Sequence, residues 1–396
     1  MTLFALTLLS VAAPSQAADS ELARLAFRSE ASLIFAEVTI GDSEPLSFLL
    51  DTGATNVVID EELARRLELP RGSARNRPAG DRAELDYHII PKVEFRIGDH
   101  EVTLPSVVTA PFEDAARLMI GRTVHGILGA SFFRRHVVEV DYEQGELVLH
   151  DPKTYRYAGD GAILPLDFSH DASKLPYATL RIETTPGEVH ELAMPVDSGG
   201  SLLSTLGFAT KESIRALVPE GAPRMESVGA TGLANDPEKI THEVFVTRLH
   251  RVHVGPHVIE RPTVGCNPAR HVGHDLFGAE LLRRFDVVFD YSRARMILEP
   301  NGAFDTPPLA DRSALMLVAA ADDVDLRRVL FVSPGSPADE AGLEAGDELV
   351  TIDARPANAR SLSATRLLFF EIAERELEVR RGEEVFTTTL RARELL

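Results

Sequence analysis

The sequence contains a single cysteine, Cys266, among its 396 residues. One thiol cannot form an intramolecular disulfide, and a chain of this length builds enough hydrophobic core to fold without such cross-links. No Cys/His signature surrounds Cys266, so we expect a buried, inert thiol rather than a catalytic nucleophile. A lipid anchor on a cysteine near the N-terminus is not expected either.

Positive charge is also scarce. Lys and Arg number 41 against 61 Asp and Glu, which gives a formal net charge of −20. Such a surface repels the phosphates of nucleic acids and anionic lipids, so we expect neither as a partner. Hydrophobic residues make up 44% of the chain and charged residues 26%, as is typical of a soluble globular protein, and the length predicts two or three folding units.

Long apolar runs are absent beyond the N-terminus. Residues 3–13 form an uncharged apolar run that is too short to span a bilayer as a mature helix. Because the small residues Ser15 and Ala17 follow it, we interpret residues 1–17 as a signal peptide cleaved after Ala17. We therefore predict a periplasmic or secreted protein with no stable membrane insertion.

The chain repeats itself. Residues 129–149 and 278–298 share Gly-Ala, Arg-Arg and Asp-Tyr pairs at a spacing of 149 residues, and 51–53 (Asp-Thr-Gly) and 197–199 (Asp-Ser-Gly) lie 146 residues apart. Two matches in the same order at nearly the same spacing indicate a duplicated unit. β-Branched and aromatic patterns predict mainly strands in each copy, so we expect two similar β-barrel lobes, residues 18–158 and 159–304.

Asp51 and Asp197 are the candidate catalytic residues. Hydrolysis of a peptide bond without metal or covalent intermediate needs one group that activates water and one that protonates the carbonyl. Two carboxyls about 3 Å apart supply both, since they share one proton. Two lobes with one Asp each can bring such a pair together at their interface.

The neighbouring residues suit this role. Gly53 and Gly199 allow a tight turn with amides directed at the carboxylates. Thr52 and Ser198 have hydroxyls that can bond across the pair and join the two loops. The glycines of the two apolar-apolar-Gly runs, Gly129 and Gly278, allow a strand to pass close beneath each Asp loop.

This duplicated pattern resembles the pepsin-like aspartic proteases and, more narrowly, their bacterial retropepsin-like relatives, over residues 30–300. The resemblance implies two barrel-like lobes around a cleft, with Asp51 and Asp197 as the dyad, a polypeptide substrate, no cofactor and a monomeric chain. Acid-acting pepsins resemble each other in a hydroxyl after the triplet, whereas this chain has Ala54 and Gly200. Fewer hydrogen bonds raise a carboxylate's pKa, so we expect a pH optimum nearer neutral than that of pepsin.

Two other features of the sequence are candidates for a functional role. Hairpins around residues 76–90, with Gly80 at the tip and Tyr87 beside it, and around 228–233 are candidates for the flaps that cover a substrate. Six of the 13 histidines lie between His242 and His274, but their spacing matches no zinc signature, and we assign no metal.

Residues 305–396 form a third unit. The run 333–338 (Ser-Pro-Gly-Ser-Pro-Ala), followed by 341–343 (Ala-Gly-Leu) and 346–347 (Gly-Asp), resembles bacterial PDZ domains attached to periplasmic proteases. The resemblance implies capture of a peptide or C-terminal tail as an added strand, with the carboxylate in a backbone nest. We place that nest at Arg312, Ser313, Ala314 and Leu315, and expect a helix over residues 362–373. The domain either recruits substrate or only packs against the protease lobes.

Two alternatives to a bilobal protease remain. One is a catalytically silent peptide-binding or scaffold protein that keeps the bilobal fold. The other is a one-lobe protease that dimerises, which is disfavoured because the chain supplies its own second lobe.

Overall fold

The computed structural model describes residues 20–70, 72–78, 84–170, 172–200, 204–230, 241–267, 275–320 and 323–396. The predicted signal peptide lies outside these ranges. None of the helices within them has the length and apolar character that crossing a bilayer requires. The expected mainly β architecture is confirmed, with barrel-like lobes and a separate β domain at the C-terminus.

Parts of the lobe-one strands alternate exposed and buried side chains, as in a half-buried sheet. In its third strand, for example, Val38 and Ile40 are buried whereas Glu37 is exposed. Its strands are β1 (Glu21–Ala26), β2 (Arg28–Glu30), β3 (Leu33–Ile40), β4 (Leu46–Leu50), β5 (Val58–Asp60), β6 (Ser73–Pro78), β7 (Glu84–Ile97), β8 (His100–Ala110), β9 (Gly126–Leu128), β10 (Val137–Asp141) and β11 (Glu146–His150). Its helices are α1 (Glu61–Arg66), α2 (Glu113–Ile120) and α3 (Ala130–Phe133).

Lobe two contains a matching series of elements. Its strands are β12 (Ala162–Pro165), β13 (Tyr177–Thr185), β14 (Glu188–Asp197), β15 (Leu206–Phe208), β16 (Met225–Ala230), β17 (Thr241–Arg248), β18 (Arg251–Val254), β19 (His257–Glu260), β20 (Thr263–Cys266), β21 (Leu276–Gly278), β22 (Phe285–Asp290) and β23 (Arg295–Pro300). Its helices are α4 (Lys211–Leu217), α5 (Ala279–Leu282) and the 3-10 turn Tyr291–Arg293.

A sheet shared by the two lobes holds them together. Its strand order is β1-β11-β10-β22-β23-β12, so three strands come from each lobe. The junction is the antiparallel pair β10–β22, in which Val138 lies opposite Phe289 and Val140 opposite Val287. Strands β10 and β22 belong to the repeated segments 129–149 and 278–298. The two copies of the repeated segment therefore pair with each other at the centre of this sheet.

Residues 301–308, which follow the last strand of lobe two, are bound to that lobe. Arg284 is fully buried, and its guanidinium donates to the carbonyls of Phe304 (3.1 Å) and Thr306 (2.5 Å). The same guanidinium pairs with the buried Glu280 at 2.6 Å. A buried charge needs such partners, so this arginine fixes the start of the C-terminal domain to the lobe.

The C-terminal domain is a small sheet with its own core. Its strands are β24 (Leu315–Val318), β25 (Arg327–Val332), β26 (Glu348–Ile352), β27 (Arg355–Pro356), β28 (Glu374–Arg381) and β29 (Glu384–Arg391); its helices are α6 (Pro337–Glu340), the 3-10 turn Ala357–Ala359 and α7 (Leu362–Leu368). The order β24-β25-β26-β28-β29 makes β24 an edge strand. The prediction of a helix to residue 373 was wrong, because the Phe369 carbonyl accepts the Arg312 amide instead of continuing the helix.

Candidate active site

Asp51 directly follows strand β4. Its backbone amide donates to the Leu128 carbonyl at 3.1 Å, which continues the parallel pairing of β4 with β9. One carboxylate oxygen, Oδ1, accepts the amides of Gly53 (2.8 Å) and Ala54 (3.1 Å). The loop therefore turns back on its own carboxylate and holds it in one orientation.

Asp197 ends strand β14 in the equivalent position of lobe two. It lies opposite Gly278 in the parallel pair β14–β21, and its Oδ1 accepts the Gly199 amide at 3.0 Å. The Gly200 carbonyl beyond it accepts the Ala279 amide, also at 3.0 Å. The two aspartates thus have matching surroundings, one in each lobe.

Thr52 and Ser198 connect the two loops. The Thr52 amide donates to the Ser198 hydroxyl (3.0 Å), and the Ser198 amide donates to the Thr52 hydroxyl (2.9 Å). Each hydroxyl then donates to a carbonyl of the opposite lobe: Thr52 to Val196 (2.7 Å) and Ser198 to Leu50 (2.8 Å). Both side chains are buried, so each of these polar groups depends on its partner. The four bonds fix the two aspartate loops relative to each other.

Gly53 and Gly199, the glycines of the two triplets, are required because a side chain at either position would collide with the carboxyl of the other lobe. A Cβ on Gly53 would lie 2.5 Å from Cγ of Asp197, and a Cβ on Gly199 would lie 2.4 Å from Cγ of Asp51. Neither glycine has a positive φ. Each carboxyl group therefore packs against the glycine of the other lobe, where no other residue leaves room.

Gly129 has a similar role beneath the Asp51 loop. Its backbone is extended, with φ −92 and ψ −172, a conformation open to any residue. A Cβ there would nevertheless lie 2.1 Å from the Asn56 carbonyl oxygen and 2.7 Å from that of Ala54. The Ala130 amide donates to the Ala54 carbonyl at 2.7 Å, and the Ser131 hydroxyl accepts the Val57 amide at 3.0 Å. Ser131 was missed by the sequence analysis, although it lies within the repeated segment.

The two carboxyl groups influence each other's ionisation. Burial is the largest cause that raises the pKa of both Asp51 and Asp197. The negative charge of Asp197 raises the pKa of Asp51 further, to well above its usual value. A hydrogen bond between the two carboxyls raises the pKa of Asp51 and lowers that of Asp197. This is the behaviour of two acids that share one proton.

Tyr291 lies close to the pair and was not singled out from the sequence. Its ring stacks on Phe133 at 5.3 Å and meets Phe168 edge-on at 4.8 Å. Burial raises the pKa of the Tyr291 phenol well above its usual value, and the charges of both aspartates add to this. The signal for Tyr291 was the Asp-Tyr pair that each repeated segment contains.

Both segments proposed as flaps lie on hairpins. Strands β6 and β7 pair from Ser73 opposite Ile89 to Pro78 opposite Glu84, and Tyr87 lies on β7. Strands β16 and β17 pair from Met225 opposite Val246 to Ala230 opposite Thr241. Gly80 and residues 231–233 lie outside the described residues, so the roles of the hairpins stay predictions.

The described histidines of lobe two do not all lie at one site. His250 and His253 approach Glu183 at 3.9 Å and 3.8 Å, whereas His257 packs against Phe285 and Phe304. His271 and His274 lie outside the described residues. Within the described ranges, no three His, Cys, Asp or Glu side chains form a group able to hold a metal ion. Cys266 is buried, and burial raises its thiol pKa to about 12, so the thiol is not a reactive nucleophile.

The predicted carboxylate nest precedes β24. The amides of Ser313 (2.7 Å) and Ala314 (2.9 Å) donate to Oδ1 of Asp311, and so does the Ser313 hydroxyl at 2.8 Å. The Leu315 amide donates to the Ser313 hydroxyl at 3.2 Å, and Arg312 pairs with Glu394 at 2.6 Å. The amides of this turn therefore already have partners within the chain, and Asp311 was missed by the sequence analysis.

Two protein families match this chain. Residues 36–132, which include Asp51 and Gly129, match the family described as aspartyl protease, and residues 328–366 match the PDZ domain family. No curated protein gives a significant match. The chain therefore contains a retropepsin-like aspartyl protease domain, together with a PDZ domain near its C-terminus.

Proposed function

We propose that this protein is an aspartic endopeptidase, with Asp51 and Asp197 as its catalytic dyad. The observation that carries the proposal is that the two carboxyls meet between the lobes, each packed against the glycine of the other lobe's triplet. Ionised Asp197 takes a proton from the attacking water, while protonated Asp51 donates to the carbonyl of the scissile peptide bond. The tetrahedral intermediate then collapses: Asp197 passes the proton taken from water to the leaving amine, and Asp51 recovers a proton from a hydroxyl of the intermediate.

The surrounding residues support this chemistry by holding the carboxyls in place. The bonds between Thr52 and Ser198 prevent the lobes from separating the pair, which positioned catalytic groups require. Gly53 and Gly199 leave the space that lets each carboxyl reach the opposite loop. The reaction proposed uses these groups and one water molecule.

The location, the oligomeric state and the role of the PDZ domain also need an account. We infer export to the periplasm or medium from the N-terminal signal, and a monomer because both aspartates come from one chain. Recruitment of a polypeptide tail by the PDZ domain also belongs to the proposal, on condition that the edge of β24 is free. A local binding site of this kind raises the substrate concentration at the cleft.

The test is cleavage of casein between pH 3 and 8 by the wild type, Asp51→Asn and Asp197→Asn, with and without pepstatin. Either substitution should lower kcat by at least about a thousandfold, because neither acid can replace the other. Asp42→Asn, at an exposed aspartate, is the matched control and should retain full activity. Equal cleavage by all four proteins would place the chemistry elsewhere. No cleavage by the wild type would favour the silent peptide-binding protein or a very narrow substrate choice.

A further inference from the structure

Strand β24 is the edge of the PDZ sheet, and a peptide that joins the sheet as a strand would pair with it. Its side chains alternate, with Leu315 and Leu317 in the core of the domain and Met316 and Val318 on the opposite face. An edge strand leaves one row of backbone N–H and C=O groups for such pairing. In this protein, backbone groups of Leu317 and Ala319 bond to partners outside the sheet.

The carbonyl of Leu317 is covered by Arg366. This arginine lies on helix α7, and its Nε and one terminal nitrogen donate to the carbonyl oxygen at 2.9 Å and 2.5 Å. Only 3% of Arg366 is exposed, and burial lowers the pKa of its guanidinium to about 10. Such a group is costly to leave without a partner, so the bond holds α7 against the edge.

The amide of Ala319 is bound by lobe one. It donates to the Leu118 carbonyl of helix α2 at 3.0 Å. Leu118 lies in the last turn of that helix, where carbonyls have no partner within the helix. The residue directly after the PDZ edge strand therefore supplies a hydrogen bond that the helix end lacks.

Apolar contacts extend the same junction. Ala115 and Met119 of α2 pack with Met316 and Val318 of β24, and all four are buried. At the end of α2, a Cβ on Gly121 would lie 2.6 Å from Cβ of Leu362, so the two backbones approach closely. The junction thus combines apolar packing with a backbone bond on one helix.

The start of α7 is attached to lobe one as well. Ser361 donates its hydroxyl to the Glu30 carboxylate at 3.0 Å, and Ser363 donates to the same oxygen. Both walls of the peptide-binding groove, β24 and α7, are therefore held by lobe one. The carboxylate of Asp311 meanwhile occupies the amides at the end of that groove.

We propose that the peptide-binding edge of this PDZ domain is occupied by the protein itself. Helix α2 of lobe one is the occupant, with Arg366 and Asp311 covering the positions beside it. The domain clamps the protease lobe and is closed to other peptides while α2 remains in place. This inference concerns binding within the chain and does not depend on whether the dyad hydrolyses peptides.

Amide hydrogen exchange of the full-length protein at single-residue resolution tests the proposal. In the wild type, the Ala319 amide should exchange at least about a hundredfold more slowly than in an unfolded chain, because α2 protects it. Val318→Asp places a charge in the contact and should speed that exchange at least about tenfold. The Val379 amide, inside the sheet, should keep its rate and report that the domain remains folded.

Val385→Asp is the matched control, since Val385 is 51% exposed on β29. It should leave the Ala319 amide as slow as in the wild type. Fast exchange of Ala319 in the wild type, or the same slow rate in Val318→Asp, would overturn the proposal.

Cysteine cross-linking provides a second measurement in case Val318→Asp does not fold. The double variant Met119→Cys with Met316→Cys should form a disulfide on mild oxidation, because these side chains share one cluster. Met119→Cys with Val385→Cys should not, and the buried Cys266 should not interfere. Equal cross-linking of the two pairs, or none in the first, would show that α2 does not lie on β24.

Discussion

The Thr52 hydroxyl accepts the Ser198 amide at 2.9 Å, and the Ser198 hydroxyl accepts the Thr52 amide at 3.0 Å. The two residues are 146 positions apart and belong to different lobes. Because each group serves as donor and acceptor, loss of one side chain leaves a buried amide of the other lobe unpaired. The stability of the lobe interface and the geometry of the dyad therefore depend on the same bonds.

Ser198→Ala should be strongly destabilising. It removes the acceptor of the buried Thr52 amide and the donor to the Leu50 carbonyl, so the free energy of unfolding should fall by about 2–4 kcal/mol. Urea unfolding followed by fluorescence or circular dichroism measures the change. Ser106→Ala, at an exposed strand serine, should change stability by less than about 0.5 kcal/mol. A similar small effect of Ser198→Ala would contradict the role given to these bonds.

Gly129→Ala and Gly145→Ala together distinguish the cost of a steric clash from the cost of a left-handed backbone conformation. The new Cβ would lie 2.1 Å from the Asn56 carbonyl oxygen, so the loop after Asp51 must shift, and we expect a loss of more than about 2 kcal/mol. Gly145→Ala is the comparison: Gly145 has φ +69 but no atom within 4 Å of the built Cβ. Its cost should be about 1 kcal/mol, from the left-handed backbone alone. Thermal unfolding of both variants measures the difference, and equal costs would refute the contact argument.

Ala54→Ser should move the pH profile of cleavage. A hydroxyl beside Asp51 can donate to its carboxylate and lower its pKa. Because Asp51 is the proposed acid, the basic limb of kcat/KM, where this group loses its proton, should move down by about half a pH unit to one pH unit. The serine is introduced at Ala54 and not at Gly200, because a Cβ on Gly200 would lie 2.4 Å from Oδ2 of Asp197. Rates from pH 3 to 8 provide the measurement, with Ala116→Ser as the control.

An unmoved profile in Ala54→Ser would show that the residue after the triplet does not set the pKa. The wild-type profile tests the same argument independently. A maximum below about pH 3, under the ordinary range of an aspartic acid, would contradict the expected optimum nearer neutral.

Asp51→Asn should make the protein relatively more stable as pH rises. The folded-state pKa of Asp51 is raised, so the folded protein binds the proton more tightly than the unfolded chain. The stability due to this group is fully present below the unfolded pKa of about 3.9 and is lost as pH rises through the folded pKa. The loss amounts to about 1.4 kcal/mol for each pH unit that separates the two pKa values. Asparagine does not ionise and avoids this loss.

The midpoint of thermal unfolding at pH 3.5 and pH 7 measures the effect. The difference between Asp51→Asn and the wild type should grow in favour of the variant at pH 7. Asp42→Asn, at an exposed aspartate, should show no such change. A variant that loses stability relative to the wild type as pH rises would mean that the Asp51 pKa is not raised.

The fold class and the C-terminal domain could be predicted from the sequence because both depend on patterns of residue types within short segments. Strands β3 and β4 are rich in β-branched, aromatic and other apolar residues, and turn residues separate them. The duplication indicated which segments would be equivalent, since homologous segments adopt the same local structure. The helix from Leu362 was predicted too long, because its end depends on the hydrogen bond between the Phe369 carbonyl and the amide of Arg312, 57 positions earlier in the chain.

The sequence by itself determined that the chain has two matching β lobes, one aspartate triplet in each and a PDZ domain. These follow from residue order, which fixes hydrophobic periodicity and turn positions. Only the tertiary structure decided that Gly53 must leave room for Asp197, that Asp311 fills the nest and that Leu118 binds the edge of β24. Such contacts join residues distant in the chain, and the packing of the lobes and domain decides which groups meet.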